Sequence, residues 1–191
     1  MKTLSLYLLL LLAIKLQASY MSASETGSGW KIFKSYLSNV QMNIDIKGNY
    51  AQIDLTFNVR IDSLNPYYGN GYYYSNLPTY RDDKLEATMN FTMDSGSFFN
   101  NAYLWLNDSI VIKAALMERY RANTIYNNIV VRRRDPLILN QNSLVNYEFK
   151  VFPISTNYSR KIKLSYLIPL LSIGSETDIV KLPYDIFSQV N

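Results

Sequence analysis

A strict alternation of apolar and polar residues between positions 37 and 61 constrains the fold of this chain most. The apolar positions are Val40, Met42, Ile44 and Ile46 in a first run, and Ala51, Ile53, Leu55, Phe57, Val59 and Ile61 in a second. Successive side chains of a strand point to opposite faces, so this period predicts two strands with one face in the core. Lys47-Gly48-Asn49 lies between the runs and predicts the turn of a hairpin.

Further alternating runs predict more strands along the chain. Leu85 to Met93 is one such run, and a second hairpin is predicted around Asn107-Asp108. Ala115, Ala122, Ile125, Tyr126 and Ile129 instead recur at helical spacing, which predicts a helix over about 113–127, followed by a strand over 129–134. The predicted fold class is therefore mainly β: an antiparallel β-sandwich of roughly eight strands with one inserted helix.

The N-terminus has the pattern of a targeting segment. Lys2 precedes an apolar run from Leu4 to Ile14, and Ala18-Ser19 offers a cleavage point. The run is short for a membrane span, which needs about 20 apolar residues. We expect a cleaved signal peptide over 1–19, with an uncleaved signal anchor as the alternative. We also expect a flexible leader over 20–35, a domain over 36–170 and a C-terminal extension or linker over 171–191. The expected location is secreted, periplasmic or at the cell surface.

Composition narrows the range of functions. The chain contains no histidine and no cysteine, which removes the commonest general base, the commonest metal ligand and the thiol nucleophile. Loss of Lys2 and Lys15 with the signal peptide would lower the net charge from +4 to +2. Such a small charge does not favour a nucleic-acid partner. We therefore expect a protein that is not an enzyme, that uses no cofactor or metal, and that has no membrane span after signal cleavage.

A tyrosine-rich segment interrupts the strands between positions 62 and 84. Its tyrosines are Tyr67, Tyr68, Tyr72, Tyr73, Tyr74 and Tyr80. A long loop in a compact domain is often functional, and tyrosine combines a rigid apolar ring with a polar hydroxyl. These six residues are the candidate partner-binding residues. The alternative is that they pack on the sheet.

Two charged clusters have more ordinary interpretations. Arg132-Arg133-Arg134 suggests an anion-binding patch, but neighbouring residues of a strand face opposite ways. Asp82-Asp83 with Glu86 suggests a cation site, but Lys84 opposes it and the ligand spacing of a calcium loop is absent. We expect both clusters to have structural or solvated roles.

The order of these segments resembles the VIT domain, the module of vault proteins and inter-alpha-trypsin inhibitor heavy chains, in its bacterial form. The matching segments are Ala51 to Phe57, Leu85-Glu86 with Phe91, the helix residues Glu118, Ala122 and Tyr126, the segment Arg134-Asp135-Pro136, and Phe152-Pro153-Ile154 followed by Arg160 to Tyr166. Met93-Asp94 departs from the usual Leu-Pro of the family, and the tyrosine-rich segment is longer than expected.

The resemblance implies a non-catalytic module that mediates protein–protein interaction or scaffolding at the cell envelope or surface. It also implies structural roles for the motif residues. We expect Ala122 to let the helix approach the sheet closely and Tyr126 to fill the space beside it. The alternative function is a carbohydrate-binding β-sandwich that uses the tyrosine-rich loop, so a glycan is the second candidate partner.

Overall fold

The computed structural model of the protein describes residues 21–25, 32–61, 85–115, 119–131, 136–157, 159–173, 177–183 and 186. The predictions for the signal peptide, for the tyrosine-rich segment, for Glu118 and for the Arg132-Asp135 segment lie outside these residues.

The described chain consists of eleven strands and one helix. They are β1 Ser22–Glu25, β2 Ile32–Lys47, β3 Tyr50–Ile61, β4 Leu85–Thr92, β5 Phe98–Trp105, β6 Val111–Lys113, α1 Arg119–Val131, β7 Leu137–Gln141, β8 Asn146–Ile154, β9 Arg160–Pro169, β10 Leu171–Ile173 and β11 Thr177–Ile179. The mainly-β class with one helix is confirmed.

Nine of these strands form one antiparallel sheet in the order β6-β5-β9-β3-β2-β1-β4-β8-β7. The sheet curls so that its two halves enclose one core. Phe57 of β3 meets Phe149 of β8 at a ring-centroid distance of 6.1 Å, and Phe99 of β5 meets Tyr147 of β8 at 5.1 Å. The two layers expected of a sandwich are thus the two halves of a single sheet, joined through β1.

The first hairpin follows the predicted pairing. Lys47 pairs with Tyr50 at its tip, where Gly48 has a φ of 61° that favours glycine. The five apolar residues from Ala51 to Val59 are fully buried. Complete burial of a side chain such as Phe57 contributes on the order of 1.5–3 kcal/mol. The core face of β3 therefore matches its sequence pattern.

The N-terminal part of the domain differs from the expectation. Ser22–Glu25, predicted to be flexible, form β1 and pair with both β2 and β4. Met21 and Ala23 are buried in the core. β2 also begins at Ile32, inside the predicted leader. A strand of four residues carries too little periodicity to be recognised, and its two neighbours stabilise it through tertiary pairing.

The helix lies further along the chain than predicted. Lys113, the expected first helical residue, pairs with Tyr103 as the last residue of β6. The backbone N–H of Ala114 then donates to the carbonyl of Ala102 at 2.8 Å. At the other end, 129–131 are helical although their β-branched side chains favour a strand. Pairing of β6 with β5 thus keeps Lys113 out of the helix, which begins at Arg119 and ends at Val131.

The C-terminal segment packs on the domain. β10 and β11 form a two-stranded sheet, and the ammonium of Lys181 lies 2.9 Å from Asp94 Oδ1. Ile186 is fully buried within the core cluster. Part of the predicted extension over 171–191 therefore contributes to the core.

Candidate functional site

An apolar row on β2 is exposed although it lies on the core-side face of the sheet. The row consists of Met42, Ile44 and Ile46, which are 37%, 41% and 40% exposed. Their cross-strand partners on β3, respectively Leu55, Ile53 and Ala51, are fully buried. The row faces the core side, as the alternation predicts. The alternation also predicted that these side chains would be buried, and they are exposed instead.

The exposure follows from the strand neighbours. β1 pairs with β2 only over Ile32 to Lys34. Beyond that point, β3 is the only strand among the described residues that pairs with β2. Asn39, with a φ of 52°, lies in an irregularity between Ser38 and Gln41 where the two parts of β2 meet. The second part, 41–47, is therefore an edge strand. On the side away from β3, no described strand forms hydrogen bonds with its backbone N–H and C=O groups.

The opposite side of this edge is polar. Gln41, Asn43, Asp45 and Lys47 are all exposed, and the Lys47 ammonium lies 3.4 Å from the Asp45 carboxylate. An incoming strand would therefore meet apolar side chains on one face and polar side chains on the other. This pattern suits β-strand addition, in which main-chain hydrogen bonds bind the partner and alternate side chains select it.

The helix tyrosine of the family pattern, Tyr126, forms a hydrogen bond with the sheet. Tyr126 is buried, and its hydroxyl donates a hydrogen bond to Glu86 Oε2 at 2.7 Å. Burial, with the nearby Glu86 carboxylate, raises the pKa of Tyr126 far above its ordinary value. The bond joins α1 to β4. The sequence pattern contained both residues, but nothing in it indicated that they meet.

A second polar contact attaches the helix to the sheet. Asn140 of β7 is buried, and its Nδ2 donates to Asn123 Oδ1 of α1 at 3.1 Å and to Glu148 Oε1 of β8 at 3.2 Å. Sequence reasoning missed this contact. The short strand β7 does not alternate cleanly, so the inward position of Asn140 could not be recognised.

A cleft lies between α1 and the sheet. It measures about 660 Å³ and is lined mainly by aliphatic residues of β5, β6, α1 and β7. Ala122 and Pro136 are among the lining residues. The expectation that Ala122 lets the helix approach the sheet closely stays a prediction.

The candidate partner-binding tyrosines lie outside the described residues, as do Glu118, Arg134 and Asp135. The carbohydrate-binding alternative based on those tyrosines stays a prediction. Among the described residues, no group of three or more acidic side chains is arranged to hold a metal ion. No helix within the described ranges is long and apolar enough to cross a membrane.

Comparison with known proteins agrees with this architecture. The family model of the vault protein inter-alpha-trypsin domain, VIT, matches residues 37–166. This match runs from the β2–β3 hairpin to Tyr166 of β9 and covers more than half of the chain. No curated protein and no solved structure matches the chain. The chain belongs to the VIT domain family.

Proposed function

We propose that this chain is an exported, non-catalytic VIT module that mediates protein–protein contact at the cell envelope or surface. The open edge of β2, residues 41–47, is its contact site. The single observation that carries the proposal is the apolar row of Met42, Ile44 and Ile46 on a strand edge that no described strand pairs.

The physical gain from covering this edge is substantial. Exposed edge strands are usually short, charged or covered, because their free N–H and C=O groups pair readily with other strands. Each side chain of the row is already more than half buried, so a partner strand would remove the remaining part from water. Complete burial of one aliphatic side chain contributes about 1.5–3 kcal/mol, so covering the exposed fractions of these three contributes on the order of 2–4 kcal/mol before the cost of association.

The chemistry of the chain supports a binding role over a catalytic one. The absence of histidine and cysteine leaves few groups able to act as a base or nucleophile near neutral pH. The most strongly perturbed hydroxyl described, that of Tyr126, already donates to Glu86. Its raised pKa keeps the hydroxyl protonated. Its hydrogen bond to Glu86 holds the helix on the sheet. The apolar segment after Lys2 supports export.

Site-specific photocrosslinking in the native cell tests the contact. A photoreactive residue replacing Ile46 should link the full chain to a protein partner. The same residue replacing Lys150, on a strand with neighbours on both sides, should not. Two lysine substitutions, each combined with the photoreactive residue at position 46, control for charge. Ile44→Lys should abolish the crosslink, whereas Asn43→Lys, on the polar side of the strand, should preserve most of it.

The outcomes are distinct. Equal crosslinking from positions 46 and 150 would show that the edge has no special role. Loss of the crosslink in both lysine variants would indicate a general charge effect, and the apolar row would then not be the recognition element.

A further inference from the structure

The outer face of the sheet, opposite to the core, carries a compact group of aromatic and basic side chains. Tyr103 and Trp105 lie on β5, Lys113 on β6, and Lys161 and Lys163 on β9. We call this group the outer basic face. It shares no residue with the apolar row of β2, and neither the family match nor the proposed function assigns it a role.

Strand register brings these side chains together. Tyr103 pairs with Lys113 on one side and with Lys163 on the other. The two ammonium groups lie 5.9 Å and 6.0 Å from the centroid of the Tyr103 ring. The ammonium of Lys161 lies 4.9 Å from the Trp105 ring centroid. Cation–π contacts at these distances hold the lysine stems along the rings and reduce the number of conformations the ammonium groups sample.

The charges of the outer basic face are only partly neutralised. The ammonium of Lys163 is paired with Asp54 Oδ2 at 2.8 Å. Burial alone would raise the pKa of Asp54, but the hydrogen bonds from Lys163 and Ser165 outweigh it and lower the pKa. Within the described part of the chain, Lys113 and Lys161 have no ion-pair partner, and the exposed Arg60 lies on the same face. The face therefore keeps a positive charge.

The neighbouring side chains can form hydrogen bonds. Asn58 of β3 pairs with Lys161, and Thr56 pairs with Lys163. Amide and hydroxyl groups thus lie beside the cations and the rings on one sheet surface. Lys113 and Lys163 are two strands apart, which corresponds to a separation of about 10 Å. The face can thus contact several successive units of an extended polymer.

We propose that the outer basic face binds a linear acidic polysaccharide, a polymer of uronic-acid sugars. The carboxylates of the polymer pair with Lys113 and Lys161, which have no ion-pair partner among the described residues. Apolar faces of the sugars contact the rings of Trp105 and Tyr103, and sugar hydroxyls exchange hydrogen bonds with Asn58. Aromatic, amide and cationic groups on one surface match the three kinds of group that an acidic sugar presents.

Nucleic acid fits this face less well. A net charge of +4 for the whole chain, 19 basic against 15 acidic residues, is small for a protein that neutralises many phosphates. Duplex DNA is therefore included as a probe, and tighter binding of DNA would contradict the proposal.

Equilibrium binding of the full chain to defined polymers tests the proposal. The probes are polygalacturonate, neutral dextran, polyphosphate and duplex DNA, all at physiological ionic strength so that weak surface attraction is screened. We expect binding to polygalacturonate and none to dextran. The double variant Lys113→Gln with Lys161→Gln should weaken it at least about tenfold. Lys150→Gln with Lys181→Gln makes the same change in net charge outside both proposed sites and should stay within about twofold.

The sugar contact has its own readout. Trp105→Leu should weaken binding to polygalacturonate and leave any binding to polyphosphate, which has no sugar rings, unchanged. In the unsubstituted chain, polygalacturonate should shift the NMR signal of the Trp105 indole N–H. Absence of binding, an equal loss in the two double variants, or tighter binding of polyphosphate or DNA would each overturn the proposal. None of these results bears on the β2 edge, so the two proposals fail separately.

Discussion

The hydroxyl of Tyr126 donates a hydrogen bond of 2.7 Å to Glu86, and this bond joins the single described helix to the start of β4. The two residues are 40 positions apart in the chain. Both belong to the pattern that resembles the VIT family, one as the acidic residue after Leu85 and the other as the helix tyrosine. Their contact gives that pattern a physical reason.

Removal of this bond should destabilise the domain measurably. We expect Tyr126→Phe to lower the free energy of unfolding by about 1–3 kcal/mol, because a buried bond to a carboxylate is lost and Glu86 loses its donor. Glu86→Gln should cost less, since the amide oxygen can still accept the bond. Urea denaturation monitored by circular dichroism measures both. Equal stability of Tyr126→Phe and the unsubstituted chain would mean that the helix docks without this bond.

Buried tyrosines should make the fold sensitive to alkali. Burial raises the pKa of Tyr126, Tyr147 and Tyr166 above the ordinary value of 10.0. Below pH 10 both states keep these protons and their contribution is complete. Above it, the unfolded chain releases protons that the folded chain retains, so stability falls as pH rises. Urea denaturation between pH 8 and about 11 should show this fall, with a shallower slope in Tyr126→Phe. An identical slope would exclude Tyr126 as a source.

Tyr166 and Tyr147 provide a matched pair of hydroxyl deletions. The buried hydroxyl of Tyr166 has no hydrogen-bond partner among the described atoms, whereas that of Tyr147 donates to the Ser97 carbonyl at 3.1 Å. We expect Tyr166→Phe to be neutral or stabilising, and Tyr147→Phe to cost about 1 kcal/mol. Thermal and urea unfolding of the two variants compare them directly. A larger loss for Tyr166→Phe would reveal a partner for its hydroxyl.

The cleft beside α1 changes the expected effect of enlarging Ala122. Close helix–sheet contact would make Ala122→Leu overpack at a cost of about 1–3 kcal/mol. With the cleft of about 660 Å³ beside it, we expect leucine to be accommodated with a change in stability within about 0.5 kcal/mol. Ala87→Leu is the control, because Ala87 is fully buried in the core and should show the overpacking cost. Equal costs at both positions would indicate that the cleft closes in solution.

Export is a prediction from the N-terminal sequence. We expect the mature protein to begin close to Ser19, after removal of the apolar segment that follows Lys2. N-terminal sequencing of protein recovered from the envelope and the culture medium checks this. Recovery of intact Met1 in a membrane fraction would instead support an uncleaved signal anchor.

Elements with a regular period over many residues were predictable from the sequence. The β2–β3 hairpin and β4 each alternate over eight or more residues, so local geometry alone assigns their faces. The turn at Asp94 to Ser97 was also predictable, because Ser and Gly residues favour turns. The Ser97 N–H donates to the Asp94 carbonyl there, and Gly96 has a φ of 85°.

Tertiary structure decided the features that depend on neighbours distant in the chain. The pattern of β2 determined which way Met42, Ile44 and Ile46 face, but only the end of β1 pairing at Lys34 decided that they remain exposed. Pairing with β5 likewise kept Lys113 out of the helix, and β2 and β4 together made a strand of Ser22–Glu25. Periodicity records the direction of a side chain, whereas its burial depends on what another segment places over it.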